Sequence, residues 1–519
     1  MTNLLSRFEK LAFWKIAALS FILGLLFATT FAPLHLVFLL PVCFSAILFL
    51  LGLARTKKQA FFVGWWFGWG QFIAGFYWIG VAFTIDANAH AALIPLPVMA
   101  LPAFLALFPG LATLGTFLLR WRTGPKILAF SSLWILAEYV RGTIFTGFPW
   151  NLTGYSWGNI LPMLQWSAFV GIFGLGLLTV LISSIPVVLT DAAMPQKDKN
   201  RAMLFMSALL GIMILTGYWR LGAETPAPLT NSAFRIVQPN IRQADKWVPK
   251  LKGGHVKKLA DLSKLPAKGQ IRHLIWPETA VPFFLTTDQP IQSYLDRVIP
   301  EGGSLTTGAP RKDPEKRQYW NSVQVLQPGQ GVTGIYDKQH LVPYGEYLPF
   351  RTLLIESGLS RVIPVLDTMS DFSAGVSGSQ TVTLPGLPTA RVLICYEVAF
   401  PWEVSGADDF SWILNATNDG WFGNTSGPYQ HLVMTKTRAI EQGMSVIRAA
   451  NTGISAVIDG YGRVLQSLPL NEPGILDGNI PAPLASVPLY KRAGEILPAS
   501  LLCLFLIVGL FWQRRPSTE

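Results

Sequence analysis

The sequence predicts a polytopic α-helical membrane bundle of eight spans joined to one α/β domain. Charge-poor apolar stretches near the ~20 residues that cross a bilayer recur along the N-terminal half. The chain of 519 residues is 51% hydrophobic and 14% charged, with a mean hydropathy of +0.39, the balance of a membrane protein. Between the last two apolar stretches lies a long segment where short apolar runs alternate with turn residues, as in a layered α/β fold. The expected division is 1–220 (seven spans), 221–492 (the α/β domain) and 493–519 (the eighth span and a tail).

The spans are read at 11–31, 35–54, 60–84, 91–119, 125–145, 162–188, 203–219 and 496–513. Their loops set an orientation. Arg7 and Lys10 precede the first span; Arg55, Lys57 and Lys58 follow the second; Arg120, Arg122 and Lys126 the fourth; Lys197, Lys199 and Arg201 the sixth; Arg514 and Arg515 the eighth. The other short connections hold almost no Lys or Arg, so both termini are expected in the cytoplasm and 221–492 on the outer side, the periplasm of a bacterium. No clear small-x-small cleavage site follows the first span, so it is expected to stay as an anchor. The net charge of +11 is explained by these loop cations, and nucleic acid is not expected as a partner.

Within the fifth span, Glu138 and Arg141 in EYVRGTIFTGFPWN share a helical face. Charges there are costly. The pair reads either as a mutually neutralising tie between helices or as a polar floor beneath a site on the outer side. Cys43 and Cys503, in apolar runs, read as small core residues.

The domain's strand-like runs are FRIVQPNI, IRHLIWPE, GSLTTGAP, YWNSVQVLQP, ARVLICYE, SWILNAT and SVIRAANTGISAVID, and PYQHLVMTKTRAIEQG has helical spacing. Polar residues at strand ends place a site along one edge of a sheet. Residues 351–390, weakly periodic, read as a long loop and candidate lid.

Cys395 is the only thiol in 221–492 and follows the apolar run RVLI. Cysteine attacks as the thiolate, which a cation or base must favour. Glu278 in IWPETAVPF can take the thiol proton and return it to a leaving group. Lys338 in YDKQHLVPYGEYLPF can stabilise an oxyanion, aided by the Tyr396 backbone N–H. Glu346 can pair with Lys338 or steer an attacking amine. Taken singly, each has a bland reading: a thiol after VLI as core, a lone Glu or Lys as nothing in particular. The conjunction is more specific. The six histidines are scattered with no metal-ligand spacing, no phosphate loop is present, and His340 beside Lys338 suits a structural role.

These segments resemble the nitrilase superfamily, and within it the apolipoprotein N-acyltransferase family. The resemblance spans nearly the whole chain: the eight spans, the EYVRG…GFPWN turn, VQPNIRQADKW, WPET, YDKQHLVPYGEYLPF, ICYE, NATNDGWFG and RAANTGISAVID. It implies a nitrilase-like α-β-β-α sandwich with Glu278 as general base, Lys338 as oxyanion partner and Cys395 as nucleophile. Glu346 matches a second essential glutamate, and Trp247, Tyr396 and Glu397 match residues near the pocket. The implied reaction moves an acyl chain, through a Cys395 thioester, from a phospholipid (sn-1 of phosphatidylethanolamine) to the α-amino group of a diacylglyceryl-cysteine on an apolipoprotein. It implies no metal or other cofactor, a membrane-lipid setting and a monomer. Two rivals stand beside it. One is a membrane-anchored amidase cleaving a small periplasmic amide, for which eight spans are more than an anchor needs. The other is a transporter with an outer binding module, against which the few paired charges in the spans and the absence of an evident internal repeat speak.

Overall fold

The structure, a computed structural model, describes residues 11–514 apart from 86–90, 268, 314, 316–317, 357–370, 377–379 and 406–408. It divides into two compact units: Met1–Val81, Ala92–Glu224 and Pro488–Glu519 form one, Ala82–Ala91 and Thr225–Val487 the other. Arg7, Lys10 and Arg515, three of the cations used for orientation, lie outside the described residues.

The first unit is helical: α1 (Phe13–Ala28), α2 (Leu40–Gly52), α3 (Lys57–Phe76), α4 (Leu107–Leu119), α5 (Thr123–Thr143), α6 (Ser167–Ser184) and α7 (Gln196–Leu221). Among the described residues, five helical segments are long and apolar enough to cross a membrane: Ala91–Leu119, Thr123–Thr146, Ser167–Thr190, Gln196–Leu221 and Ile496–Arg514. The other three expected spans correspond to shorter or more polar helices. At 1.5 Å per residue α1 covers only ~24 Å of a ~30 Å hydrocarbon core, and α3 opens on Lys57, Lys58 and Gln59. α1 and α3 pack backbone to backbone. A Cβ at Gly24 would stand 1.9 Å from the Phe67 carbonyl oxygen, and one at Gly70 2.2 Å from that of Phe21. Small residues at such a contact let helices associate where burial from water contributes little.

Glu138 and Arg141 are both buried on α5. Glu138 accepts from the Thr153 amide and, at 2.7 Å, from its hydroxyl. Arg141 donates to the Phe148 and Trp150 carbonyls at 2.5 and 2.9 Å. Both side chains therefore staple the FTGFPWN turn and its continuation onto the helix. Cys43 is buried as expected, but Cys503 lies on an exposed face of its helix, so position in an apolar run did not make it core.

The second unit holds two six-stranded sheets. The strands are β1 (Pro228–Gln238), β2 (His273–Ile275), β3 (Ser304–Asp313), β4 (Gln318–Gln327), β5 (Gly331–Asp337), β6 (Thr381–Val382), β7 (Ala390–Ile394), β8 (Trp412–Thr417), β9 (Val446–Ala450), β10 (Ser455–Ile458), β11 (Val464–Leu468) and β12 (Gly474–Pro481). Their orders are β12-β1-β2-β3-β4-β5 and β11-β10-β9-β8-β7-β6. The runs β1-β2-β3 and β7-β8-β9 are parallel. Helices α8 (Lys252–Ser263), α9 (Gln289–Asp296) and α10 (Gly427–Gln442) connect them, and the chain ends its described course in α11 (Ile496–Arg514) of the first unit.

Successive strand residues point to opposite faces, and the core follows that rule. Ile236 joins Phe234, Val323, Val392, Leu414 and Ile447 in a cluster fed by both sheets. Its neighbour Val237 turns the other way, to Leu274 and Leu305 and to Val256, Leu259 and Leu295 of α8 and α9. The run SVIRAANTGISAVID is two antiparallel strands, β9 and β10, broken at the NTG turn. The expected loop at 351–390 contains a short helix, Arg351–Glu356, and β6. The rest of the lid reading falls largely on 357–370 and 377–379, outside the described residues.

Candidate active site

Glu278, Lys338 and Cys395 are each carried just beyond the C-terminal end of a strand: β2, β5 and β7. The sequence placed the site along one sheet; the structure draws it from both. Glu278 and Lys338 come from the first sheet and Cys395 from the second, which two sheets sharing one core allow.

Glu278 sits in a tight turn. Thr279 has φ +44, and a Cβ at Gly308 would lie 2.2 Å from the Thr279 nitrogen and 2.6 Å from the Glu278 Cα. Only glycine lets β3 approach that closely. Glu278 Oε1 accepts from Asn321 Nδ2 at 2.7 Å and lies 3.9 Å from Lys338 Nζ. Its other oxygen, Oε2, is buried with no hydrogen-bond partner among the described residues.

Lys338 is 1% exposed and pairs with Glu346 Oε2 at 2.8 Å. Burial alone would lower its ionisation, but Glu346, then Glu278 and Cys395, outweigh burial and raise it above the usual lysine value, so the ammonium persists. Asn321 Nδ2 also reaches Glu346 Oε1 at 2.9 Å, tying the two carboxylates together.

Cys395 opens a turn of 3-10 helix, Cys395–Ala399, in the left-handed region at φ +50. Non-glycine residues are strained there, and such strain clusters at functional sites. Burial pushes the thiol up and Glu278 adds to it; Lys338 and a hydrogen bond with Thr417 pull the other way, and the net direction is upward. The resting group is therefore a thiol. Glu397 braces this turn. Its Oε2 accepts from the Ile394 amide at 2.7 Å, and its Oε1 from the Tyr336 hydroxyl and the Gln339 amide at 2.7 and 2.8 Å. One carboxyl thus joins the Cys395 turn to the Lys338 loop. Tyr396 packs edge-on against Phe400, which stacks on His340 at 3.6 Å.

Trp247 is 42% exposed, with Lys252 Nζ 5.4 Å from its ring. Its neighbour Lys246, which the sequence reading passed over inside RQADKW, is the one turned inward. It is 3% exposed and donates to the Glu278 carbonyl at 3.0 Å. Burial pushes it down to about 8, against the pull of Glu278 and Cys395. Asn321 was also missed, as were Asp419, His431 and Arg448. For Asn321 and Arg448, polar residues inside apolar strand runs, that position was the available signal, since a buried polar group must find partners.

Two family models match the chain: the apolipoprotein N-acyltransferase N-terminal domain over residues 23–185 and carbon-nitrogen hydrolase over 235–487. An apolipoprotein N-acyltransferase of Rhodopseudomonas palustris is 38% identical, covering 97% of this chain and 96% of its own. One from Bradyrhizobium diazoefficiens is 38% identical over 96% of this chain and 95% of its own. Among solved structures, Saccharomyces cerevisiae Nit3, a member of branch 10 of the nitrilase superfamily, aligns at 15% identity and a TM-score of 0.37, covering 57% of this chain and 98% of that one. Matched along nearly its full length by relatives of that name, the chain belongs to the apolipoprotein N-acyltransferase family.

Proposed function

We propose that this membrane acyltransferase works through Cys395, with Glu278 as base and Lys338 as oxyanion partner. Family membership makes lipoprotein N-acylation its activity and gives it lipoprotein and phospholipid substrates. The observation that carries the residue roles is the convergence of Glu278, Lys338 and Cys395 in one buried cluster, with Glu278 Oε2 open to a proton.

In the first step Glu278 removes the Sγ proton as the sulfur attacks an ester carbonyl of the phospholipid, the sn-1 ester of phosphatidylethanolamine. Lys338 and the Tyr396 N–H hold the tetrahedral oxyanion. On collapse the ester C–O bond breaks, and the proton on Glu278 passes to the departing lysophospholipid oxygen. In the second step the α-amino nitrogen of a diacylglyceryl-cysteine attacks the thioester and Glu278 takes one of its protons. The C–S bond breaks, the amide remains on the lipoprotein, and the proton returns to sulfur. Glu346 keeps Lys338 aimed throughout.

The wider reading is a monomer with eight spans, five of which are apolar and long enough by themselves. Its catalytic domain is an α-β-β-α sandwich on the periplasmic side of the inner membrane, and both termini are cytoplasmic. Substrates whose acyl chains stay in the bilayer support a site working at that surface.

Intact mass after incubation with phosphatidylethanolamine, followed by a diacylglyceryl lipopeptide, tests the reading. A hydroxylamine-labile adduct absent from C395A and moving to the peptide amine is expected. An adduct lost to water at the same rate with or without peptide would favour the small-amide hydrolase. No adduct would sink the nucleophile assignment.

A further inference from the structure

Behind the nucleophile turn lies a fully buried polar cluster that the proposed reaction does not use. Asp419 follows β8, Arg448 sits on β9 and His431 on α10, each with 0% exposure. Asp419 Oδ1 accepts from the Thr417 hydroxyl at 2.8 Å and lies 2.8 Å from His431 Nδ1. Asp419 Oδ2 accepts from Arg448 at 2.6 Å. Arg448 also donates to Asn415 Oδ1, Thr435 Oγ1 and the Ile454 carbonyl. The other ring nitrogen of His431, Nε2, lies 3.1 Å from the carbonyl oxygen of Cys395, and Phe422 packs edge-on against the ring.

The contacts around the ring bear on where its protons sit. Nδ1 has Asp419 Oδ1 at 2.8 Å and, farther off, Arg448 Nη2 at 3.3 Å, whose shorter bond goes to Asp419 Oδ2; Nε2 faces a carbonyl oxygen. The two closest contacts are both to acceptors, and both are hydrogen bonds only if both nitrogens carry hydrogen. Asp419 supplies the compensating charge: burial would favour its protonated form, but His431 and Arg448 outweigh burial and hold the carboxyl below its usual range, so it stays ionised. The carbonyl that Nε2–H holds belongs to the same peptide unit as the Tyr396 N–H. A charge-assisted bond at one end of an amide polarises it and strengthens the donor at the other. It also fixes a peptide plane that the left-handed Cys395 leaves strained.

We propose that His431 is a positioning residue held as an imidazolium, which grips the Cys395 carbonyl and so aims and strengthens the Tyr396 N–H toward the oxyanion. This rests on the reading of Cys395 as nucleophile and Tyr396 N–H as donor. It also gives the NATNDG and RAANTG segments a shared task, since they supply Asp419 and Arg448.

The chain has six histidines, so ¹⁵N-histidine labelling of the full-length protein, with H431Q to assign the signal, reads this ring directly. Two protonated ring nitrogens at neutral pH are expected; a neutral ring overturns the proposal, and this readout needs no folded H431L. Single-turnover acylation by phosphatidylethanolamine is the second measurement. H431L should slow adduct formation about tenfold to a hundredfold with the phospholipid KM unchanged, less than outright loss of an oxyanion donor. H431Q, which retains a neutral donor, should recover part of that rate. Wild-type adduct formation with an unslowed H431L overturns the role of His431 alone, whereas no adduct on wild-type protein overturns the nucleophile reading and this inference with it.

Discussion

Cys395 illustrates what a single side chain can and cannot announce. Its position after an apolar run was visible in the sequence and its left-handed φ was not; its protonated rest state and the cluster behind it arise from contacts more than twenty residues away in the chain. C395S should give no measurable adduct, because an alkoxide is far harder to form than a thiolate. E278Q should slow acylation by about 10² to 10⁴-fold, the range for loss of a general base; normal turnover in either, by single-turnover mass analysis, would contradict the nucleophile and base roles. Lys246 makes a separate prediction. Its ammonium faces Glu278 and Cys395 and is pushed down to about 8. Raising the pH through that value removes a positive charge beside a forming thiolate, so kcat/KM for the phospholipid should fall on that alkaline side. K246M should lack this limb in the pH profile.

At the scale of elements, the strands that went unnamed in the sequence share one property. β5 and β12 flank the first sheet, and β6 and β11 flank the second. Interior strands are covered on both faces and read as apolar runs, as VLI and WIL do. An edge strand escapes that requirement: Val464 and Leu465 of β11 are exposed, β12 is interrupted by Gly478, and β6 is two residues long. The Glu278 turn shows the opposite case, where one glycine decides an element's position. G308A places a methyl against backbone, not against a flexible side chain. It should destabilise the domain by ~1–3 kcal/mol and slow acylation by shifting Glu278. Thermal unfolding and the adduct assay together check this, and a wild-type rate would show that the turn tolerates the shift.

At the scale of the whole molecule, the split between an apolar half and an α/β domain was legible from composition, since segregated charge needs no knowledge of contacts. Of the eight spans read there, five are matched among the described residues by helices long and apolar enough to cross a membrane. Hydropathy counts side chains, and α3 mixes Lys57, Lys58 and Gln71 with its aromatic residues. The site was legible as three residue types but not as a place, because two sheets contribute to it. Orientation is the molecule-scale prediction. Protease added to right-side-out spheroplasts should cut within 221–492, and inverted vesicles should protect it. The reverse pattern would overturn the loop-charge reading.

The reluctance of Cys395 to ionise also bears on survival between turnovers. Oxidants and alkylating agents attack the thiolate, and sulfenic acid formation follows thiolate fraction and exposure. A thiol that is 6% exposed and held protonated by burial and Glu278 is shielded from such reagents. With Cys43 and Cys503 in the other unit, it has no partner of its own domain with which to form a disulfide. Iodoacetamide should therefore label the resting protein at Cys395 far more slowly than a free thiol, with the rate climbing as the pH is raised. Rapid labelling at neutral pH would mean that the enzyme rests as a thiolate, exposed to peroxide whenever substrate is scarce.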